Sequence, residues 1–172
     1  MILNRPAKDE YFQFYDHYVQ LAQGNSLDDL FELGNNLVHF YNSIPEELGT
    51  YQYAPGKWSI KQLLQHVVDT ERIFAYRLLC IFRGEQQAIP GFDENLYADS
   101  GNAEHRTLQE IQEEFVLVRQ STNQLLKSGK KEDFSKYVIA SGHKISGRAL
   151  SFIIFGHAMH HKNILQERYG IK

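Results

Sequence analysis

Trp58-Ser59-Ile60-Lys61-Gln62-Leu63 decides the fold. The Ser59 hydroxyl can accept a hydrogen bond from the amide of Gln62, and the Gln62 side chain can reach back to the amide of Ser59. This reciprocal pair is a capping box that starts a helix. Trp58 before the cap and Leu63 at the fourth helical position fit a hydrophobic staple. The helix so started should run to about Arg83 and stop at Gly84.

The same grammar recurs on both sides. Upstream, Leu27, Leu30, Phe31, Gly34, Leu37, Val38, Tyr41 and Ile44 repeat with the 3.6-residue period of an amphipathic helix, which Pro45 ends. A shorter helix around Tyr11–Ala22 precedes it, closed by Gly24-Asn25. Downstream, Thr107 and Glu110 form a second capping box, with Leu108, Ile111, Phe115, Val118 and Leu125 on one stripe. A last helix spans about Ser146 to Tyr169 before Gly170. Strand signals are weak, Lys136–Ala140 being the best. Four amphipathic helices of similar length predict an all-α four-helix bundle with a short extra N-terminal helix, in one domain covering residues 1–172. The stretch from Gly84 to Arg106 is too long for a tight turn, and loops of that length often carry function.

Composition narrows the function. The chain has 172 residues, of which 42% are hydrophobic, 13% aromatic and 23% charged, as expected of a folded globular protein. Eighteen Lys and Arg against twenty-one Asp and Glu leave a net charge of −3, which gives no electrostatic reason to expect nucleic acid or an anionic membrane as partner. A single cysteine, Cys80, cannot form an internal disulfide and reads as core packing. No apolar run approaches the roughly 20 residues of a membrane span, and the N-terminus has no apolar signal core, so a cytoplasmic location is expected.

The chemistry concentrates in Gly156-His157-Ala158-Met159-His160-His161. At 100° per residue, His157 and His161 lie about 40° apart on a helix, in the sector of Leu150, Ile153, Ile154 and Ile164. His160 sits on the flank, about 60° from His157 on the other side. Two imidazoles at i and i+4 on an inward face suit metal chelation, or each finds a carbonyl or carboxylate in the core. His66 supplies a third imidazole on the sector of Ser59, Gln62, Leu63, Thr70, Ile73 and Arg77. Facing helices of bundles build metal sites from inward side chains, and three imidazoles with an open position is a catalytic-zinc arrangement.

Alternatives can be trimmed. Position 158 is Ala, so the His-Glu-x-x-His protease pattern is absent, and no Glu-x-x-His pair supports a di-iron centre. Gly56-Lys57-Trp58 lacks the rest of a P-loop. His17, His39, His105 and His143 are expected at the surface or in local contacts. Arg77 either meets an anionic substrate or pairs with a core carboxylate. Asp69 is either an outer contact of a ligand histidine or a helix-surface group. Asp93 and Glu94 either close over the site or cap a neighbouring helix.

Taken in order, Tyr53-Ala54-Pro55-Gly56-Lys57-Trp58-Ser59-Ile60, His66-Val67-Val68-Asp69-Thr70-Glu71-Arg72, Phe92-Asp93-Glu94-Asn95 and Gly156-His157-Ala158-Met159-His160-His161 resemble the DinB-like (DNA damage-inducible) superfamily over nearly the whole chain. The resemblance implies a four-helix bundle holding a divalent metal, zinc or nickel, on His66, His157 and His161, with His160 as a frequent additional histidine outside the ligand set. It also implies a homodimer and a kinship with transferases and isomerases that use bacillithiol, mycothiol or glutathione. The expected function is a metal-dependent thiol S-transferase acting on a small thiol and an electrophile, with Thr70 and Arg77 as substrate contacts and no catalytic residue assigned. The alternatives are a metal-dependent hydrolase and a metal-binding stress-response module without catalysis.

Overall fold

Each of the four long helices begins on a side-chain cap and ends on a backbone hydrogen bond. In the computed structural model, which describes Met1–Lys172, α1 spans Asp16–Leu21 and α2 Leu27–Asn42. The long α3 covers Ile60–Arg83, the short α4 Glu94–Ser100, α5 Leu108–Ser128 and α6 Gly147–Tyr169. Both predicted capping boxes form, at Ser59/Gln62 and Thr107/Glu110, while Ser26 and Ser146 cap α2 and α6. Helix α3 stops at Gly84, whose φ of 77° lies in the left-handed region that a side chain disfavours. The N-terminal helix is shorter than the sequence suggests. Its first part, Gln13–Tyr15, is a 3₁₀ turn that leads into the six residues of α1.

The four long helices form the bundle, but their order around it does not follow the chain. Helix α3 packs against α5 and α6, and α2 also packs against α5 and α6. Sequential helices α2 and α3 are therefore diagonal, as are α5 and α6. The contacts also set directions. Gln65 bonds Arg106 and Glu71 pairs with Arg119, while Phe82 meets Phe134 edge-on just beyond the end of α5, so α3 and α5 run parallel. Gly34 faces Phe155 and Tyr41 bonds the carbonyl of Ala158, so α2 and α6 are parallel too. The remaining neighbours are antiparallel, with His66 beside His157 and Ile81 beside Gly147.

Parallel neighbours explain the long Gly84–Arg106 connection. Helix α3, with 24 residues, is about 36 Å long, and the chain must travel back along it before α5 can start in the same direction. At about 3.3–3.6 Å per residue, a tight turn cannot do this. The crossover is not plain loop: it carries α4, capped by the Asp93 side chain on the amides of Asn95 and Leu96. Seven residues give too short a period for the sequence to reveal that helix. Ile89 pins the crossover to a hairpin, exchanging backbone hydrogen bonds with Ile139 and Ser141.

That hairpin is the only sheet. Strands β1 (Tyr137–Ala140) and β2 (His143–Ser146) pair antiparallel with Ala140 opposite His143. Its two-residue loop, Ser141-Gly142, has φ of 54° and 80°, the backbone a right-twisted hairpin requires. The weak strand signal at Lys136–Ala140 was therefore real, and its partner is β2.

Helix α6 is the centre of the molecule. Every residue from Ala149 to Ala158 is buried, so it has no solvent face along that stretch. It gives Ala149, Leu150 and Phe152 through Phe155 to one apolar cluster and Ala158, Leu165 and Tyr169 to a second. His157 falls between the two contributions. No helix is long and apolar enough to cross a membrane.

Candidate metal centre

The antiparallel packing of α3 on α6 brings His66 to His157 and His161. Nε2 of His157 lies 3.1 Å from Nε2 of His66 and 3.1 Å from Nε2 of His161. A ligand atom from each of the three lies within 4.8 Å of the others, and all three residues are buried. Aromatic rings hold them in place: Trp58 sits 5.0 Å from His66, while Tyr18 and Phe74 meet His157 edge-on at 5.4 and 5.8 Å between centroids.

Burial sets their charge state. Loss of water pushes the His66 imidazole down to about 4, with the neighbouring His160 adding to the effect. Desolvation also drives His157 and His161 well below the usual histidine range, reinforced by the other imidazoles. All three are therefore neutral at pH 7 and keep a lone pair for a cation.

The arrangement suits a metal better than it suits a hydrogen-bond network. A ring nitrogen offers either one N–H or one lone pair, so Nε2 of His157 cannot bond well to two imidazoles at once. Nδ1 of buried His161 has no partner, although a buried polar atom normally finds one. Three imidazole nitrogens around a tetrahedral ion at about 2.0–2.1 Å would stand roughly 3.3 Å apart, close to the 3.1 Å of the two pairs that His157 makes. The donor set fits a divalent metal ion.

The cluster opens onto a cavity of about 260 Å³. Its walls include Trp58, Thr70, Phe74 and Arg77 of the α3 region, His160 of α6 and Tyr18 of α1. Phe92 and Glu94 of the crossover, Ser141 of the hairpin and Phe14 and Tyr15 before α1 complete it. Thr70 and Arg77 thus share a wall with the histidines, as their helical sector implied. Ile73 does not: it lines a neighbouring cavity of about 520 Å³, separated from the first by Phe92, which borders both.

The open alternatives resolve individually. Arg77 is almost fully buried, with no carboxylate in ion-pair range; its Nη2 donates to the Pro90 carbonyl at 3.3 Å and to the Ser141 hydroxyl at 2.9 Å. The core pair belongs instead to Arg119 and Glu71, 2.7 Å apart. Asp69 accepts from Gln65 on its own helix and bonds no histidine. Asp93 caps α4 while Glu94 and Phe92 line the cavity, so both readings of that segment hold in part. Cys80 is a buried free thiol. Of the other histidines, His17 Nε2 meets His160 Nδ1 at 3.2 Å and His143 stacks on Phe12.

Several cavity residues escaped the sequence. Tyr18 reaches the site because α1 docks on α6, and Ser141 because the hairpin folds against the crossover. Neither carries a local signature, apart from the Ser-Gly pair that marks the turn.

A family comparison agrees with this architecture. Residues 32–165 match the DinB superfamily, and the chain belongs to it. A candidate metal-dependent hydrolase of Oceanobacillus iheyensis, OB0413, is 31% identical over 64 residues, which make up 37% of this chain and 37% of that protein. The match thus spans little more than a third of the curated relative. Among solved structures, YfiT of Bacillus subtilis, described as a probable metal-dependent hydrolase with an unusual four-helix bundle topology, superposes with a TM-score of 0.68 at 17% identity. That match covers 97% of this chain and 94% of YfiT. The mycothiol-dependent maleylpyruvate isomerase superposes with a TM-score of 0.59 at 12% identity, over 77% of this chain and 59% of the isomerase. At such identities the likeness is one of fold. The diagonal placement of sequential helices described above is a departure from the simple up-and-down bundle.

Proposed function

We propose that the protein is a divalent-metal-dependent transferase that joins a low-molecular-weight thiol to an electrophile, with His66, His157 and His161 as the metal ligands. The observation that carries this reading is the convergence of three neutral imidazoles on the wall of a cavity with room for a small molecule. A structural site would be closed by a fourth protein ligand, and no further His, Cys, Asp or Glu joins this cluster. Zinc or nickel bound there would supply the positive charge that favours the deprotonated form of a thiol.

The chain's own residues do the rest. Tyr18, Trp58 and Phe74 wall the cluster and exclude water, which strengthens electrostatic interactions inside. Thr70 and Arg77 are the substrate contacts. The Thr70 hydroxyl lies 3.5 Å from Nδ1 of His66, where it can steady that ring, and Arg77 offers a cation further along the same cavity. Hydrolysis is the second reading, favoured by what OB0413 and YfiT are described as; it would use the same charge to activate water.

Elemental analysis of the purified protein followed by a conjugation screen separates the readings. Several thiols would be offered with a fluorogenic electrophile such as monochlorobimane. Conjugate formation that a chelator and His157→Ala both abolish supports the transferase. Hydrolysis of ester or amide substrates without conjugation would move the assignment to a hydrolase, and bound metal with neither reaction to a non-catalytic module.

A further inference from the structure

Arg77 is a buried cation without a counter-ion. Its residue surface is 1% exposed, no carboxylate lies within 4.0 Å, and Nη2 makes its only hydrogen bonds to the protein, both to neutral oxygens. Nε is buried with no acceptor at all. Burying a guanidinium this way is costly unless something compensates. The other deeply buried arginine, Arg119, shows the usual remedy in its pairing with Glu71. Arg77 instead lines the cavity that holds the histidines. Glu94, the one carboxylate on that wall, is exposed and in no ion pair.

The surroundings are built around this group. Ser141 takes a left-handed backbone, φ 54°, in the hairpin loop, and its hydroxyl holds Nη2 at 2.9 Å. The carbonyl of Pro90, in the crossover, holds the same nitrogen from another element. Two separate parts of the chain thus fix a guanidinium carried by a third.

From these observations we infer that Arg77, steadied by Ser141, is a carboxylate subsite, and that the thiol substrate is one that carries a carboxylate. This rests on the thiol-transferase reading above for the identity of the other end of the ligand. Nη1 bonds nothing in the protein and can donate to a carboxylate, a charge-assisted contact that a neutral thiol cannot exploit. The spacing sets the size. Arg77 Cζ lies 5.8 Å from the Phe74 ring, and that ring lies 5.8 Å from the ring of His157, so the two polar ends of the cavity are under about 12 Å apart. Contacts at each end shorten the gap, leaving a span that two amino-acid-sized units cover at about 3.3–3.6 Å per residue. A peptide-like thiol of the glutathione type has these dimensions and charges.

Trp58, the single tryptophan, lines the cavity and reports its occupancy by fluorescence. Zinc-loaded protein would be titrated with glutathione, with glutathione diethyl ester, which keeps the thiol and loses the carboxylates, and with S-methylglutathione, which does the reverse. Glutathione should bind about tenfold or more tightly than the ester, the worth of one charge-assisted hydrogen bond. Arg77→Gln should bring that ratio close to one with zinc content unchanged. Ser141→Gly, which suits the left-handed backbone, should weaken the preference by about two- to fivefold and keeps the test open if Arg77→Gln folds poorly. No preference for the free acid, including no binding of glutathione at millimolar concentration, overturns the subsite, as does a preference that survives both substitutions. The two ideas fail separately. If S-methylglutathione binds as well as glutathione and Arg77→Gln still abolishes binding, the subsite stands and the thiol reading falls. If thiols are conjugated but esterification costs nothing, the subsite falls alone.

Discussion

A Cβ on residue 156 would fall 1.9 Å from the backbone carbonyl oxygen of Tyr18. Gly156 is what lets α1 lie directly on α6, and that approach seats the Tyr18 ring against His157 one residue further on. Gly156→Ala must therefore push α1 off the bundle. Overpacking of this kind costs about 1–3 kcal/mol, and here the obstacle is backbone rather than a flexible side chain. The urea midpoint should fall accordingly, and metal affinity should fall with it as His157 becomes hydrated. An unchanged midpoint would mean that α1 is not held as described.

Replacement of His66, His157 or His161 by Ala should each abolish stoichiometric zinc retention after desalting, measured as metal per chain. His160→Ala should retain most of it, because His160 lies on the flank and bonds His17 instead. Equal losses from His160→Ala and His161→Ala would show that the ligand set is misassigned.

Metal-free protein should lose stability as pH falls from about 6.5 towards about 4. The sign follows from burial: the folded state holds His66 neutral down to about 4, whereas an unfolded histidine takes up its proton near 6.5. His157 and His161 are shifted in the same direction. The stabilising difference is thus complete above 6.5 and lost on acidification, by up to about 1.4 kcal/mol per pH unit for each group. Glu71 acts in the opposite sense, since burial raises its carboxyl despite Arg119. Urea midpoints across this range should fall, and His157→Ala should flatten the slope. A flat profile for the parent protein would contradict neutral buried imidazoles. Metal competition with protons should accordingly set in below the value of about 6.5 that free histidine suggests.

Glu71 and Arg119 are both 2% exposed, and the guanidinium lies 4.4 Å from the Phe155 ring and 5.4 Å from that of Phe115. Glu71→Ala should cost about 3–5 kcal/mol by stranding a buried cation. Replacing both with Leu and Met should recover most of that loss, because no buried charge is then left without a partner. Denaturant titration of the two variants checks this. A double variant as unstable as Glu71→Ala would show that the pair is needed for packing rather than for charge balance.

Much of the fold was readable because its signals are local. Ser59 with Gln62 and Thr107 with Glu110 are three residues apart, so their capping bonds can be foreseen from the chain, as can the stops at Gly84 and Gly170. The pair His157 and His161 was readable for the same reason. His66 was readable as a third inward imidazole from its helical sector, although a sector does not say which helix it meets, and family likeness added that pairing. The parallel run of α3 and α5 was hidden, although the length of the Gly84–Arg106 connection is its trace. Ile73 shows the limit of sector reasoning. It lies on the same face of α3 as Thr70 and Arg77, yet Phe92 of the crossover divides that face between two cavities.

The sequence by itself determined the four long helices with their caps and stops, because caps, stops and apolar periods depend on residues within four positions of one another. Tertiary structure alone decided that Arg77 has no carboxylate partner, that Ser141 reaches its guanidinium from 64 residues away, and that Tyr18 walls in His157. Those contacts join segments whose separation in the chain carries no geometric information. They exist because a crossover between parallel helices and a close approach at Gly156 close the cavity, and only the packing of the whole chain selects those partners.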